Sequence, residues 1–248
     1  MRKTNRNSFR FQVFCSVVLL SLALMPLRSQ SANGGAPHVS EPAIVRAGGL
    51  SFRFPSPSGD LVETGPDYRV LLEPFAPNTN RLVAAFVVPD DFASVRSGKS
   101  KSMTEYALIE IARQAEFADV TPEIFKQVAD GMASSFGVNF ETAMKEQEEE
   151  INRRLKALNS SAAAVSADKP VYLGALFSKA DACGFGATMA VSSSGTTVTM
   201  AMGLSVIRVQ NRVFFAYLYK RYEDESTLLW IRKASEQWAD SILSANKQ

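Results

Sequence analysis

Histidine and cysteine are nearly missing from this chain, and several kinds of chemistry go with them. The 248 residues hold one histidine, His38, and two cysteines, Cys15 and Cys183. A single histidine near the N-terminus excludes histidine-based nucleophile triads and histidine-rich metal sites. Cysteines this far apart make no CxxC redox or zinc motif. A phosphate-cradling glycine loop is lacking too: Gly184-Phe185-Gly186 has neither the third glycine nor the following helix of a dinucleotide fingerprint. Beyond residue 31, no apolar run approaches the roughly 20 residues that span a bilayer. The reading is therefore of a chain with no cofactor, no metal site and no assigned catalytic residue.

What is present begins with the first 31 residues. Arg2, Lys3, Arg6 and Arg10 form a basic start without an acid, and an apolar run from Val13 to Leu27 follows. Small residues then stand at Ser29 and Ser31, the spacing a signal peptidase reads. The pattern predicts a signal peptide over 1–31, cut after Ser31 or near Gly34, with an uncleaved N-terminal membrane anchor as the alternative. The expected location is periplasmic or secreted.

Charge reads differently once that leader is set aside. The whole chain has 27 basic and 25 acidic residues. Five of the basic ones (Arg2, Lys3, Arg6, Arg10, Arg28) and none of the acids lie within residues 1–31. The remainder carries 22 against 25, a balance of −3. A slightly acidic body argues against nucleic acid and against anionic lipid as partners. Cys183 is then left alone. It can form no intrachain disulfide, and it reads as a small buried hydrophobe.

The organisation expected is a signal peptide over 1–31, a flexible arm over 32–47 and a single α+β domain over 48–248. Ser51–Phe54 alternates Phe52 and Phe54 with polar neighbours and stops at Pro55, Pro57 and Gly59, a short strand. Tyr68–Phe75 and Arg81–Val88 are two further apolar runs, the latter apolar on both parities as expected for a strand covered on both faces. Asp90-Asp91 reads as a turn, the basic stretch from Arg96 to Lys101 as a solvated loop, and Glu105–Arg113 as a strand.

Thr121, Pro122 and Glu123 form a helix start, with Ile124, Phe125, Val128 and Met132 as its buried stripe. Gly137 is expected to interrupt. A second helix from about Phe140 to Leu158 follows, with Met144, Ile151, Leu155 and Leu158 at helical spacing. Its run Glu146 to Glu150 reads as a solvated face with Glu149–Arg153 and Glu150–Arg154 pairs, because consecutive positions point around a helix and cannot converge on an ion. Asn159–Lys169, small and polar, reads as a surface loop.

The last third predicts strands over Leu173–Ser178, Cys183–Val191, Thr197–Val209 and Arg212–Tyr222, with a tight Gln210-Asn211 turn. A closing helix over Glu225–Asn246 is capped by Asp224, with Leu228, Ile231, Ala234, Trp238 and Ile242 on its buried face. Phe214, Phe215, Tyr217, Tyr219 and Tyr222 read as a core strand, since no lysine or arginine interleaves them as a stacking platform would need.

One place invites a ligand. Thr199, Ala201, Gly203 and Ser205 share one face of their strand, and Gly184, Gly186, Thr188 and Ala190 share a face of its neighbour. Two adjacent strands thus present a floor almost without bulk, and glycine inside a strand signals a close approach. The expectation is a helix seated there, with Trp230 or Trp238 filling the space. The alternative is a shallow groove for a small apolar ligand or a peptide, with Gly184, Gly186, Thr188, Thr199, Ala201, Gly203 and Ser205 as its lining. Cys183 shares parity with Phe185 and should point to the bulky side.

The opening Leu50-Ser51-Phe52-Arg53-Phe54-Pro55-Ser56-Pro57 and the close, Arg212-Val213-Phe214-Phe215-Ala216-Tyr217-Leu218-Tyr219 followed by Glu223-Asp224-Glu225 and a tryptophan-bearing helix, resemble the PsbP/Mog1-like fold. By element pattern the resemblance covers about residues 50–245. It implies a mainly antiparallel sheet covered by helices, and an accessory or binding domain, since that group is mostly non-enzymatic. The function expected is an exported, non-catalytic accessory or binding module of the bacterial envelope, with an envelope protein or small apolar ligand as partner. The alternative is a small exported enzyme working through carboxylate, serine or lysine chemistry, with Asp181, Glu110 and Lys179 as unranked candidates.

Overall fold

Strand pairing organises the chain around one antiparallel sheet. The computed structural model describes residues 41–247, apart from 66–68, 70–71, 74–75, 97–102, 159–163 and 194. The expected signal peptide and residues 32–40 of the expected arm lie outside the described residues. A short hairpin, β1 (Ala43–Ala47) and β2 (Leu50–Phe54), comes first. The main sheet follows: β3 (Val62–Glu63), β4 (Asn80–Val87), β5 (Glu105–Ala112), β6 (Val165–Ala167), β7 (Val171–Ser178), β8 (Ala182–Ser193), β9 (Thr196–Val209) and β10 (Arg212–Arg221). Its order is β3-β4-β5-β10-β9-β8-β6, and β7 also pairs with β8. Three α-helices with both ends among the described residues accompany it: α1 (Pro89–Arg96), α2 (Pro122–Leu158) and α3 (Glu225–Ala245). The architecture is the α+β class expected.

Each face of the sheet has its own cover. On one face Met200, Met202, Leu204, Val206, Phe185 and Met189 pack beneath α2, which contributes Phe125, Val128, Met132, Phe136, Met144 and Ile151. On the other, Phe214, Ala216, Leu218, Ile109 and Ile111 pack beneath the β1–β2 hairpin and α3. β4 serves both. A register shift between Leu82 and Ala84 puts Leu82 and Ala85 on the α2 face and Val83, Ala84 and Phe86 on the other. A bulge of this kind is what a strand apolar on both parities can accommodate.

Several boundaries depart from the sequence reading. The arm was expected to extend to residue 47, but Ala43–Ala47 is a strand, because its alternation sends Val45 and Ala47 into the core and Ile44 outward. Within the apolar run Tyr68–Phe75 the described residues Arg69, Leu72 and Glu73 are helical, and Leu72 reaches the core from that turn. Asp90-Asp91 opens α1 rather than a turn, since two carboxylates suit a helix N-terminus. Most of the loop expected over Arg96–Lys101 lies outside the described residues.

Gly137 does not interrupt anything. Residues 122–158 form one helix of 37 residues, about 55 Å long at 1.5 Å per residue. A glycine inside a helix costs roughly 1 kcal/mol. The apolar stripe outweighs that, running on through Phe136, Met144 and Ile151, all buried. The side chains of Leu155 and Leu158 lie outside the described residues. Thr121 Oγ1 accepts from the Ile124 N–H at the helix start. Glu150 pairs with Arg154 as expected, but Arg153 also turns to Glu150 rather than to Glu149.

Asn159–Lys169 is likewise more than a loop. Residues 159–163 lie outside the described residues, yet Val165–Ala167 is β6, paired with β8, and Val165 is buried. The final hairpin and helix follow the sequence closely. Gln210 and Asn211 adopt φ of 47° and 61° between β9 and β10, the mirror-image turn that matches strand twist. Asp224 caps α3 by accepting from the Ser226 N–H at 2.8 Å.

Candidate functional site

The small-residue floor of β8 and β9 is the natural place to look for a site. β8 and β9 align Gly184 with Ser205, Gly186 with Gly203, Thr188 with Ala201 and Ala190 with Thr199. The eight residues therefore share one face, as their parity requires. Covering comes from two directions. A Cβ on Gly184 would collide with the Phe177 ring, and one on Gly186 would crowd Leu176 and Leu173, all from β7. A Cβ on Gly203 would collide with the Ser235 hydroxyl and crowd Ile231, both from α3. Ala201 and Ser205 are fully buried, while Thr188, Ala190 and Thr199 are half-buried.

The tryptophans do not fill the floor. Trp238 lies edge-on to Phe86, ring centroids 6.0 Å apart, and its Nε1 donates to the Pro55 carbonyl at 2.8 Å. Trp230 lies against Lys220, whose Nζ is 4.1 Å from the ring centroid. Nothing in the residue pattern signals that β7 shares the covering. That strand is irregular, with register shifts on either side of Gly174–Ala175. These bends are what carry Leu176 and Phe177 over the glycines.

The three ionisable residues singled out in the sequence are each engaged by partners of their own. Lys179 binds Asp240 at 2.7 Å and Glu236 at 3.0 Å, both on α3. Asp181 binds Arg208 on β9 at 2.5 Å. Glu110 is fully buried on the α2 face, where Asn80 Nδ2 donates to its Oε2 at 2.8 Å. Among the described residues no three His, Cys, Asp or Glu side chains converge as metal ligands would. Cys183 is buried under the α2 side, and burial pushes its thiol up to about 12, away from the reactive range.

No known protein family and no curated protein matches the chain. Solved structures do. The Ran-binding protein Mog1p of Saccharomyces cerevisiae is similar over 80% of this chain and 89% of its own, at 12% identity and a TM-score of 0.30. Cyanobacterial PsbP (CyanoP) of Synechocystis is similar over 89% of this chain and 98% of its own, at the same identity and TM-score. At this distance the likeness concerns fold alone, and activity and partners do not travel with it.

The aromatic strand β10 is core as expected. Phe214, Phe215, Tyr217 and Tyr219 are buried, and Tyr219 stacks on Tyr106 of β5 at 4.6 Å between centroids. Burial alone drives the Tyr106 phenol upward in pKa. No described helix is long and apolar enough to cross a membrane.

Proposed function

We propose that this protein is an exported accessory or binding module of the bacterial envelope, acting without catalysis of its own. One observation carries the non-catalytic part: Lys179, Asp181 and Glu110 are engaged with three different sets of partners. Acid–base or covalent catalysis needs such groups within hydrogen-bond reach of one another around a shared reacting atom. The basic start and apolar run of residues 1–31 support export.

The test is expression of the full chain in a Gram-negative host, followed by periplasmic fractionation and mass spectrometry of the intact product. The proposal expects a mature chain beginning after Ser31 or near Gly34, recovered from the periplasm. Recovery of the uncut chain from the cytoplasm would defeat the export reading. A Glu110→Gln, Lys179→Met and Asp181→Asn series tests the rest. Loss of any measured turnover in one of these variants, with folding intact, would defeat the non-catalytic reading.

A further inference from the structure

The two outer edges of the β1–β2 hairpin end differently. That of β2 is closed at Arg53, whose N–H donates to Asn246 Oδ1 at 2.8 Å and whose carbonyl accepts from Asn246 Nδ2 at 2.7 Å. Arg53 stands opposite Ile44. In an antiparallel pair, opposed residues either exchange both backbone bonds or turn both groups away. Arg53 turns its groups away from β1, so Ile44 turns its own away from β2, and so does Arg46 two residues on.

The edge of β1 that these groups face is open over part of its length. Its turn end is closed, where Arg81 Nη2 donates to the Arg46 carbonyl at 3.1 Å and the Gly48 N–H donates to Glu116 Oε1 at 3.3 Å. Beyond that point the Ile44 N–H, the Ile44 carbonyl and the Arg46 N–H have no partner among the described residues, and β1 pairs with β2 alone. Ile44 is 70% exposed. Unpaired edge groups are a template for another strand.

The side chains define which strand fits. The outer face of the hairpin presents Ile44, Arg46, Ser51 and Arg53, all exposed, while Val45, Ala47, Phe52 and Phe54 are buried. Arg46 and Arg53 are diagonal neighbours, about 7–8 Å apart. Neither guanidinium has an ion pair among the described residues. Glu116, the acid at the turn end, is already held by Arg81. A strand laid along this edge sets alternate residues beside Ile44 and Arg46, so an apolar residue and then a carboxylate complement them.

We infer that the outer edge of β1 is a docking site for an extended acidic segment of a partner protein, added to the hairpin as a third strand with its carboxylates on the Arg46 and Arg53 face. The inference rests on the binding-module reading and gives it a surface. Its failure would leave export and the lack of turnover to their own tests.

The probe is a capped heptapeptide alternating valine and glutamate, with a valine–glutamine peptide as control. Each is titrated to about 1 mM into the isotope-labelled full chain and followed by amide NMR. Expected results are shifts centred on the Ile44 and Arg46 amides with the glutamate peptide. Binding should weaken at least about tenfold for the glutamine peptide, and likewise for an Arg46→Gln, Arg53→Gln variant of unchanged Tm. Ile44→Pro removes an edge donor where proline is tolerated, and should abolish binding; if it fails to fold, the arginine variant and the control peptide decide. No shift at Ile44 and Arg46, or equal binding of the two peptides, would overturn the site. So would shifts produced by phosphatidylglycerol vesicles and not by the peptide. An Ile44 amide protected from exchange before any peptide is added would also overturn it, by placing this chain or a second copy on the edge.

Discussion

Asn152 of α2 holds both backbone groups of Val165 in β6. Its Nδ2 donates to the Val165 carbonyl at 2.7 Å, and its Oδ1 accepts from the Val165 N–H at 2.8 Å. The side-chain amide thus stands in for a neighbouring strand at the end of the sheet, so that a three-residue strand is paired on both edges. Glu148 adds a bond to the Ala167 N–H at 3.0 Å. Short strands are marginal by themselves, and here the long helix supplies what the sheet does not.

Replacing Asn152 with Ala should therefore destabilise the protein by roughly 1–3 kcal/mol, the cost of leaving partly buried backbone groups unpaired. Denaturant unfolding would measure it. Hydrogen exchange should show the Val165 amide losing protection while β10 amides keep theirs. Unchanged protection at Val165 would show that the amide is not its anchor.

Trp238 sits at the junction of α3, β2 and β4, fully enclosed and hydrogen-bonded to Pro55. Trp238→Ala should cost about 3–5 kcal/mol, from lost burial and a residual cavity. An equilibrium melt of the purified variant decides this, and an unaltered Tm would exclude the packing described.

Acid should loosen the clasp at the start of the fold. Arg81 donates to both Glu116 oxygens, Nη2 to Oε1 at 2.5 Å and Nε to Oε2 at 3.2 Å, and the Gly48 N–H donates to Oε1 at 3.3 Å. Gly48 has φ of +54°, and a Cβ there would meet the Glu116 carbonyl and the Arg212 side chain, so this turn requires glycine. The Arg81 hydrogen bond holds the Glu116 carboxyl below its ordinary 4.5. Its folded pKa is depressed, so its contribution is complete above about 4.5 and is lost as pH falls through the folded value. Arg153 and Arg154 hold Glu150 at about 2 in the same sense, though its mostly surface pairs contribute less. Stability measured from pH 6 down to about pH 2 should decline, and Glu116→Gln should flatten part of that decline. An identical profile for the variant would remove the clasp from the account.

The Gln210-Asn211 turn contains a strained choice. Gln210 takes a positive φ of 47° without being glycine, at a cost of about 1 kcal/mol. Gln210→Gly should raise stability by roughly 0.5–1 kcal/mol; a fall in Tm would mean that the glutamine side chain is used elsewhere.

Legibility in the sequence followed the length and regularity of each signal. The Asp224 cap, the Ile231–Trp238–Ile242 stripe and the Gln210-Asn211 turn are local, and the folded chain keeps them. Ala43–Ala47 and Val165–Ala167 do not show as strands in the sequence, because a strand of three to five residues has too few alternations to stand out. What completes them is distant: Phe52 beside Phe214 at 4.7 Å for the first hairpin, and Asn152 for β6. Gly137 looks like a break on local propensity alone, and only the apolar stripe continuing past it through Met144 and Ile151 keeps the helix whole. At the floor of β8 and β9, parity correctly placed eight small residues on one face. It could not reveal that β7 bends over Gly184 and Gly186, since bulges depend on pairing rather than on composition. Glu110 and Asn80 were invisible as a pair for the same reason: thirty residues separate them in sequence.

Gly203→Val tests most directly the claim that the floor at Gly203 is packed beneath α3 rather than open as a ligand groove. The added methyls would enter the space held by Ser235 and Ile231, so chemical denaturation should show a loss of roughly 1–3 kcal/mol from overpacking. Equal or greater stability in the variant would contradict the account, because it would mean that the face beneath α3 has room to take a ligand.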